Sequence, residues 1–359
     1  MIGKSKKVWV GMSGGVDSSV SAYLLKQQGY DVTGVFIKVW QPNDVECTWK
    51  DERRDAMRVC AELDIPFLTL DLSVEYKMQV VDYMISEYAK GRTPNPDIMC
   101  NRHIKFGGFL DMAKRMDIDY VATGHYANVK KTDDGYFSLF EGKDPSKDQS
   151  YFLWTLNSDD LSRVLFPVGH LLKTEVRKIA QKAKLPVFDK KDSQGICFIG
   201  HVDMKEFLKK NIETRSGSVL DIDGNVIGEH DGAILYTIGE RVGFKAFKTG
   251  ADDKAMYILS KDVSNNTITV IENNLLTVEG SEHNQGIRIA QLADVNWNTE
   301  KTNTVSNLKA RVRYRQEKQD CIFDPNTSRV TFSKAQVLAS GQSVVLYSGE
   351  RCLGGGIIS

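Results

Sequence analysis

The chain has 359 residues, and its 47 lysines and arginines are balanced by 47 aspartates and glutamates, which excludes a uniformly basic nucleic-acid-binding protein but not a local basic surface. Hydrophobic residues make up 41% and charged residues 26%, values typical of a soluble globular protein, and the length suggests about two to three domains. No apolar run reaches the roughly 18 residues of a membrane span and no signal-peptide core follows the N-terminus, so we expect a cytoplasmic protein with no membrane partner.

Strand-like and helix-like segments alternate along the first 200 or so residues. Short apolar runs predict strands at residues 8–12, 31–39, 67–70 and 120–123. Helical patterns lie at 17–28, at 51–63, at 73–90 and in a segment that ends near 116. A polar, proline-containing loop is predicted at 91–103, and residues 158–211 are predicted to be mostly helical, with breaks at Pro186 and at 192–200. The alternation predicts a Rossmann-like parallel sheet covered on both faces, with ligands bound beyond the carboxyl ends of its strands.

The C-terminal part of the chain is β-rich. Asp223-Gly224 and Asn265-Asn266 each separate two short β-rich runs, as hairpin turns do, and short strands continue from about residue 286 to the end. We therefore predict an α/β fold in three domains. These are a Rossmann-like domain at residues 1–210, a small β-rich central domain at 211–282 and a C-terminal β-barrel at 283–359.

A glycine- and serine-rich loop, Ser13-Gly14-Gly15-Val16-Asp17-Ser18-Ser19, lies between the first predicted strand and the first predicted helix. Its glycines allow a tight turn close to a ligand, and its hydroxyls and the free N–H groups of the helix suit an anion. It is neither GxxxxGK[ST] nor GxGxxG. The pattern SGGxDS resembles the PP-loop of ATP pyrophosphatases, which adenylate a substrate and release pyrophosphate. The alternative is a capped Gly-Gly turn, and Asp17 is either a capping residue or a ligand that holds Mg²⁺ against the phosphates.

The six cysteines, at positions 47, 60, 100, 197, 321 and 352, form no CxxC pair, which excludes zinc ribbons and thioredoxin-like motifs. In a reducing compartment they are buried fillers or reactive thiols. Cys100 and Cys197 lie in loop-like segments, where a thiol is reachable and partly ionised, so these two are the candidates for chemistry. Cys60 lies on a predicted helix face and is expected to fill the core.

Six sequence motifs carry a resemblance to a known family. They are SGGVDSS, NPDIMCN, ATGHYA at 122–127, KDQSYF at 147–152, SQGICFIG and RYRQ at 313–316. With these motifs in this order, the chain resembles the bacterial tRNA-specific 2-thiouridylases over nearly its full length. The resemblance implies that the first domain is a PP-loop nucleotide-binding and catalytic domain that uses ATP with Mg²⁺ and has no further metal site. It also implies that the C-terminal barrel contacts tRNA.

The resemblance further implies a reaction, the ATP-dependent exchange of the C2 oxygen of the wobble uridine of tRNA for sulfur. The uridine O2 is adenylated, and a persulfide on Cys197 delivers its terminal sulfur to C2, directly or as released hydrosulfide. Cys100 then attacks the Cys197 persulfide and leaves a Cys100–Cys197 disulfide as AMP departs, and Asp97 is the acid/base residue. The sulfur donor would be a cysteine desulfurase or a sulfur-relay protein, and the substrates would be the tRNAs for Lys, Glu and Gln.

The resemblance also assigns binding residues. Those for ATP are Gly11, Met12, Ser13, Gly14, Gly15, Val16, Asp17, Ser18, Ile37 and Gly124. Those for tRNA are Asn95, Pro96, Asp97, His125, Lys147, Asp148, Gln149, Arg313, Tyr314 and Gln342. Many relatives have methionine where this chain has Ile37, and an apolar residue at that place keeps a backbone contact to adenine possible. For His125 the alternative is a hydrogen-bonded histidine at the end of a strand.

Positive charge is concentrated at residues 307–318. Arg311, Arg313 and Arg315 alternate, so on a strand they would line one face, with Tyr314 on the other. Such a row of guanidiniums suits phosphates and the tyrosine suits a base, although a solvated strand face is the alternative.

Two other functions are compatible with parts of the sequence. One is a different PP-loop adenylating enzyme, an amidotransferase or ligase acting on a small molecule, although no glutaminase-like segment is visible. The other is a nucleotide-dependent RNA-binding protein without chemistry, for which neither Cys100 nor Cys197 would matter.

Overall fold

The computed structural model describes residues 5–42, 49–133, 135–191, 203–242, 244–246, 255–272, 287–298 and 308–359. Cys197, with the rest of its motif, lies outside the described residues, and so does Cys47. None of the helices in the described part of the chain combines the length and the apolar character needed to span a bilayer.

The N-terminal part of the chain is built on a parallel sheet. Its strands, with a hairpin inserted before the last of them, are β1 (Lys7–Gly11), β2 (Asp31–Lys38), β3 (Phe67–Asp71), β4 (Tyr120–Ala122), β5 (Ala127–Lys131), β6 (Phe137–Glu141) and β7 (Val164–Leu165). The sheet order is β3-β2-β1-β4-β7, and its pairings are parallel. Because β2 lies on one side of β1 and β4 on the other, a crevice opens between β1 and β4 at the carboxyl edge. The predicted Rossmann-like sheet is confirmed.

Helices cover both faces of this sheet. They are α1 (Val16–Gln27), α2 (Trp49–Glu62), α3 (Ser73–Tyr76), α4 (Tyr83–Ala89), α5 (Pro96–Met99), α6 (Phe109–Arg115), α7 (Ser158–Leu161), α8 (Lys173–Lys182) and α9 (Met204–Asn211), with π-helical segments at Lys77–Asp82 and Cys100–Gly108 and a 3-10 turn at Ser150–Leu153. The helices predicted at 17–28, 51–63 and 73–90 are confirmed. The prediction of a mostly helical stretch at 158–211 was too broad, because β7 and its neighbouring turns separate α7 from α8.

Successive residues of β1 explain why both faces are covered. Val8 and Val10 pack into a cluster with residues of α1, α2 and α8, whereas Trp9 packs on the opposite face against the helices between residues 73 and 115. Alternating side chains of a strand point to opposite faces, so an unbroken apolar run requires cover on both sides.

The predicted loop at 91–103 is wrong over its second half, because a helix begins at Pro96. The side-chain oxygen of Asn95 accepts hydrogen bonds from the backbone N–H groups of Asp97 and Ile98, at 3.1 and 3.3 Å. Asn is a favoured N-cap residue, and proline fits the first helical position because its missing N–H is not needed there. The helical chain then continues through the π-helical segment to Arg115, so Cys100 lies in a helix rather than in a loop.

The central part of the chain forms a second sheet. Its strands are β8 (Gly217–Leu220), β9 (Val226–His230), β10 (Arg241–Val242), β11 (Lys245–Ala246), β12 (Met256–Asp262) and β13 (Thr267–Glu272), with a 3-10 turn at Ala233–Leu235. The order is β10-β12-β13-β8-β9-β11. The two predicted turns are present, since β8 pairs with β9 around Asp223-Gly224 and β12 pairs with β13 around Asn265-Asn266. Gly224 has φ +84° and Asn266 φ +54°, and both residue types tolerate positive φ.

The C-terminal part forms a closed barrel, as predicted. Its strands are β14 (Ile287–Trp297), β15 (Leu308–Arg311), β16 (Gln319–Asp324), β17 (Arg329–Gln336), β18 (Ser343–Ser348) and β19 (Arg351–Ile358). They follow the order β14-β17-β16-β15-β18-β19, and pairing of β14 with β19 closes the ring. The β5–β6 hairpin from the N-terminal part joins this sheet through β6 and β19, a pairing that was not among the predictions.

A buried ion network fastens that hairpin to the barrel. The guanidinium of Arg311 donates to Asp148 and to Glu141, each at 2.7 Å, and Lys318 donates to the other oxygen of Glu141 at 2.7 Å. Asp148 also accepts hydrogen bonds from the hydroxyl and the N–H of Ser150. Buried charges of this kind are tolerated because each one is paired with a group of opposite charge.

The expected row of three arginines on one strand is wrong. Strand β15 ends at Arg311, and the chain then turns, with Arg315 at φ +62°. Arg311 is bound in the ion network, Arg313 is partly buried and donates to the Ile238 carbonyl at 2.9 Å, and Arg315 is exposed. The alternation in sequence does not become a common face because the strand is shorter than the charged segment.

We predict that Arg311→Met lowers the free energy of unfolding by about 3–5 kcal/mol, the cost of removing one partner from a buried ion pair. Chemical denaturation followed by tryptophan fluorescence measures the change. The matched control is Lys309→Met in the same strand, whose ammonium is exposed and lies 3.5 Å from Asp320. That control should cost less than about 1 kcal/mol, and equal losses in the two variants would contradict a structural role for the network.

Candidate active site at the carboxyl edge of the sheet

The glycine- and serine-rich loop is held between strand and helix by backbone contacts. The N–H of Met12 donates to the Val35 carbonyl of β2 at 2.8 Å, which fixes the start of the loop. Gly14 has φ +70°, and a Cβ at this position would lie 2.4 Å from the Glu52 carbonyl oxygen of α2. Both the turn and the approach of α2 therefore require glycine.

The first turn of α1 is open to an anion. Its N-cap is Gly15, which has no side chain to satisfy the first N–H groups of the helix. The hydroxyls of Ser18 and Ser19 donate to the Gly15 carbonyl, at 3.2 and 2.7 Å, and the Ser13 and Ser18 hydroxyls lie 3.2 Å apart. The serines thus shape the loop, and the helix supplies N–H groups and a positive dipole end. This arrangement fits a phosphate group.

Asp17 is not the helix cap. It lies in the first turn of α1, and its carboxylate accepts a hydrogen bond from the Tyr126 hydroxyl at 2.8 Å. The Lys173 ammonium reaches both carboxylate oxygens, at 2.7 and 2.8 Å. Of the two roles open for Asp17, capping is therefore wrong. A carboxylate oxygen at a phosphate-binding turn is a suitable ligand for Mg²⁺.

Two lysines outside the predicted site residues lie at this loop. Lys173 begins α8 and pairs with Asp17. Lys190 donates to the Gly14 carbonyl at 3.0 Å and to Asp55 of α2 at 2.7 Å. The loop lacks a lysine of its own, and more distant parts of the chain bring two to it. No local pattern signals either of them.

The proposed adenine-binding positions lie at the same edge. Ile37 lies near the end of β2 and is buried, and Gly124 follows β4. A Cβ on Gly124 would lie 2.7 Å from the backbone nitrogen of Ser18, so only glycine permits this approach to α1. Since β2, β1 and β4 are neighbours, the structure brings together Ile37, Gly124 and the loop that follows Gly11.

Cys100 also lies toward this edge but is buried. The helical stretch from Pro96 to Arg115 leads into β4, and the N-terminal end of such a crossover helix lies at the carboxyl edge of a parallel sheet. The exposed fraction of Cys100 is 0%, and it packs in one apolar cluster with Ile98 and Ile104. The expectation of a reachable thiol is therefore wrong for this conformation. The early helix start at Asn95 turns this residue toward the core.

His125 has the geometry of a hydrogen-bonded histidine at the end of a strand. Its Nδ1 lies 2.7 Å from the Thr123 hydroxyl, and its ring packs against Phe106 and Phe166 with centroids 5.8 and 5.9 Å away. Burial holds the pKa of His125 well below its ordinary value, and the charge of Lys105 acts in the same direction. The ring is therefore neutral and has little surface to offer RNA.

The segment 147–149 is also engaged internally. Gln149 accepts a hydrogen bond from the Tyr126 N–H at 3.0 Å through its side chain and donates from its own N–H to the Tyr126 carbonyl at 2.8 Å. The Lys147 N–H donates to the Asp144 carbonyl at 3.0 Å. Asp148 belongs to the ion network described above. This segment therefore holds the chain that follows Gly124, including the tyrosine bonded to Asp17.

The segment that leads to Asn95 lies at a junction of three parts of the chain. The Thr93 N–H donates to the Ser340 carbonyl at 2.7 Å, and its hydroxyl donates to Thr237 at 3.2 Å. The side-chain amide of Gln342 donates to the Thr93 carbonyl at 3.1 Å. Thr93 is thus bonded to both the central sheet and the barrel.

The Tyr314 ring lies close to this junction. It packs on the Phe152 ring with centroids 4.6 Å apart, and the Phe152 carbonyl accepts from Asn101, next to Cys100. The structure therefore gathers Asn95, Tyr314 and Gln342 around the start of the Cys100 helix, whereas His125 and Asp148 are buried elsewhere.

We predict that Gly14→Ala abolishes measurable ATP binding, because the added Cβ would collide with the Glu52 carbonyl and displace the loop. Isothermal titration calorimetry of the folded variant with ATP measures this. The matched control is Gly29→Ala, since Gly29 also has positive φ, +85°, but a Cβ there meets nothing within 4 Å. Backbone strain should cost each variant about 1 kcal/mol of stability, the collision should cost Gly14→Ala more, and only Gly14→Ala should lose ATP binding. Intact ATP binding in Gly14→Ala would exclude this turn as the phosphate site.

Family models match the chain in three consecutive parts. A model described as the tRNA methyl transferase HUP domain matches residues 6–201, the tRNA methyl transferase PRC-barrel domain matches 205–272, and the aminomethyltransferase beta-barrel domain matches 284–358. A solved 4-thiouridine synthetase–RNA complex with bound ATP matches with a TM-score of 0.36 and 20% identity, over 58% of this chain and 50% of that one.

Full-length relatives are more similar. The tRNA-specific 2-thiouridylase MnmA of Francisella philomiragia is 44% identical over 99% of both chains. That of Nitrosomonas europaea is 44% identical over 98% of both chains, and that of Pediococcus pentosaceus is 43% identical over 98% of this chain and 94% of its own. With this identity over nearly every residue, the chain belongs to the tRNA-specific 2-thiouridylase family MnmA.

Proposed function

We propose that the protein replaces the C2 oxygen of the wobble uridine of tRNA with sulfur, at the expense of ATP. The observation that carries the proposal is the position of the Cys100 helix. Its N-terminal end lies at the carboxyl edge of the sheet, where the PP-loop offers a phosphate site. The proximity of the loop and the Cys100 helix at one edge supports a reaction in which a carbonyl oxygen is activated at the loop and a thiol completes sulfur transfer.

The residues at the loop suit ATP. The open N-terminus of α1 and the loop that follows Gly11 would hold the phosphates, and Ile37 and Gly124 would lie against the adenosine. Asp17 would be the ligand for Mg²⁺ that accompanies the nucleotide. Adenylation turns the uridine O2 into part of AMP, a good leaving group, and the N–H groups of the loop stabilise the charge on departing pyrophosphate.

The sulfur step balances with the two cysteines alone. The terminal sulfur of the Cys197 persulfide bonds to C2, and the C2–O bond breaks as AMP leaves. The Cys100 thiolate then bonds to the Sγ atom of Cys197, and the bond from that atom to the transferred sulfur breaks, with its electron pair remaining on the sulfur that becomes the thiocarbonyl. The alternative route releases hydrosulfide first. Either route leaves a disulfide that a thiol reductant must reopen.

Chain length supports the participation of Cys197. Lys190 is bonded to the Gly14 carbonyl, and Cys197 follows it by seven residues. Seven extended residues span at most roughly 25 Å, so connectivity alone keeps Cys197 within that distance of the anchored lysine. The chemistry further requires that Cys100 leave its buried position. It begins a π-helical segment, and such segments are frequent at functional sites in helices.

The tRNA is proposed to approach at the junction near Thr93. Asp97 is half-buried in the first turn of its helix, where it would act as the acid/base residue. Exposed Arg315, stacked 5.0 Å over the Tyr314 ring, offers a charge for phosphate beside a ring for a base. The wobble base must turn out of the anticodon loop to reach the site, which costs less than in a duplex. The proposed substrates are the tRNAs for Lys, Glu and Gln, in the cytoplasm, with a persulfide-carrying protein as sulfur donor.

We predict that Cys197→Ser and Cys100→Ser each abolish formation of 2-thiouridine while ATP affinity stays within about twofold of the wild type, because neither thiol holds the nucleotide. Purified protein is incubated with unmodified tRNA, ATP, Mg²⁺ and a persulfide donor, and the nucleosides are analysed by mass spectrometry. Calorimetry measures ATP affinity in parallel.

The control for these variants is Cys321→Ser. Burial raises the pKa of the Cys321 thiol to about 12, with a smaller contribution from Asp320, so this thiol is protonated and inert at neutral pH. Thiolation by Cys321→Ser should match the wild type. Normal thiolation by Cys197→Ser would end the persulfide proposal, and normal thiolation by Cys100→Ser would assign disulfide formation to another group.

A further inference from the structure

The ion pair between Lys173 and Asp17 lies at the phosphate-binding turn. Lys173 is the first residue of α8, and only 11% of its side chain is exposed. Its ammonium contacts both oxygens of Asp17 and lies 5.8 Å from the centre of the Tyr126 ring. Asp17 belongs to the helical turn whose N–H groups face the phosphate site. The Lys173 ammonium is therefore next to the Asp17 carboxylate, which itself belongs to the phosphate-binding turn.

The chemistry at this turn needs a cation that the loop does not contain. ATP brings about four negative charges, and the departing pyrophosphate gains charge as the bond to the α-phosphate breaks. Backbone N–H groups and a helix dipole supply only partial positive charge, about half an elementary charge per helix end. The Walker A loop solves the same problem with a lysine within its own motif. Here the motif is SGGVDSS, so any full positive charge besides that of Mg²⁺ must come from elsewhere in the chain.

The two lysines at the loop are not equivalent. Lys190 donates to the Gly14 carbonyl and to Asp55, so its bonds hold the outer side of the loop against α2. Lys173 instead lies on the α1 side, where its charge is balanced by a residue of the phosphate turn itself.

We propose that Lys173 is the cation that binds the β- and γ-phosphates of ATP and stabilises pyrophosphate as it leaves, and that Asp17 holds the ammonium in place before the nucleotide arrives. The proposal rests on the proposed function and adds a substrate-binding residue to it. Lys173 directs its charge to the pyrophosphate end of the nucleotide, so it does not contribute to affinity for AMP.

The test compares ATP with AMP as calorimetric probes of the full-length protein. Lys173→Met should bind ATP about 10- to 100-fold more weakly, the loss expected for one charge-assisted hydrogen bond, while AMP affinity changes less than about twofold. Lys173→Gln keeps a donor for Asp17 and removes only the charge, so it should show the same ATP-specific loss even if the methionine variant is poorly folded.

The matched control is Lys143→Met. Lys143 also pairs with a carboxylate of α8, Glu175, at 3.0 Å, but both side chains are exposed and neither contacts Asp17. Its affinities for ATP and AMP should equal those of the wild type.

Two results would overturn the assignment. Unchanged ATP affinity in Lys173→Gln would leave the lysine as a structural partner of Asp17, and equal losses of ATP and AMP affinity would show that it merely supports the shape of the loop. If the Lys173 variants lose affinity for ATP but not for AMP, and the wild-type protein forms no 2-thiouridine, the proposed function is contradicted while the role of Lys173 is supported.

Discussion

The close approach of three backbone segments at the first turn of α1 is the constraint on which the active site depends. Gly14 lies against the Glu52 carbonyl, and Gly124 lies against the backbone nitrogen of Ser18, each at a distance that excludes a Cβ. These contacts fix the loop and the first turn of α1, whose N-cap Gly15 has no side chain to satisfy the first N–H groups. Because the approach is made by backbone atoms, the position of the phosphate site depends little on side-chain rotamers, and the crossover order of the sheet determines where it opens.

The positive charge at this turn comes from groups that lie at very different distances along the sequence. The helix dipole is local to α1, whereas Lys173 is 156 residues from Asp17 and Lys190 is 176 residues from Gly14. The distant lysines can approach only because α8 and its following turn pack on the same face of the sheet as α1. Folding of the whole α/β domain therefore precedes assembly of the full charge, which links the stability of α8 to nucleotide binding.

The distance in sequence between interacting residues explains which features of the fold and the site could be predicted from the sequence. The Gly14 turn, the parallel sheet and the barrel follow from local patterns, namely paired glycines, apolar runs and turn residues, and the structure has them. The lysines at the loop and the burial of Asp148 and His125 depend on tertiary packing, for which a single sequence offers no periodicity. The position of Cys100 is different, since Asn95 followed by Pro96 is a local helix-start signal and indicates a helix there. The Asp134-Gly135 turn signal of the β5–β6 hairpin was likewise present in the sequence.

The junction around Thr93 connects the barrel to the cysteine. Gly341 has φ +90° and approaches the Thr93 backbone so closely that a Cβ would lie 2.9 Å from it, while Gln342 donates to the Thr93 carbonyl. Two residues later Asn95 caps the helix that buries Cys100. Through Thr93, the bonds of the barrel and of the central sheet therefore reach the segment whose cap the first helical turn depends on. The packing that keeps Cys100 from solvent is thereby linked to contacts that the barrel makes.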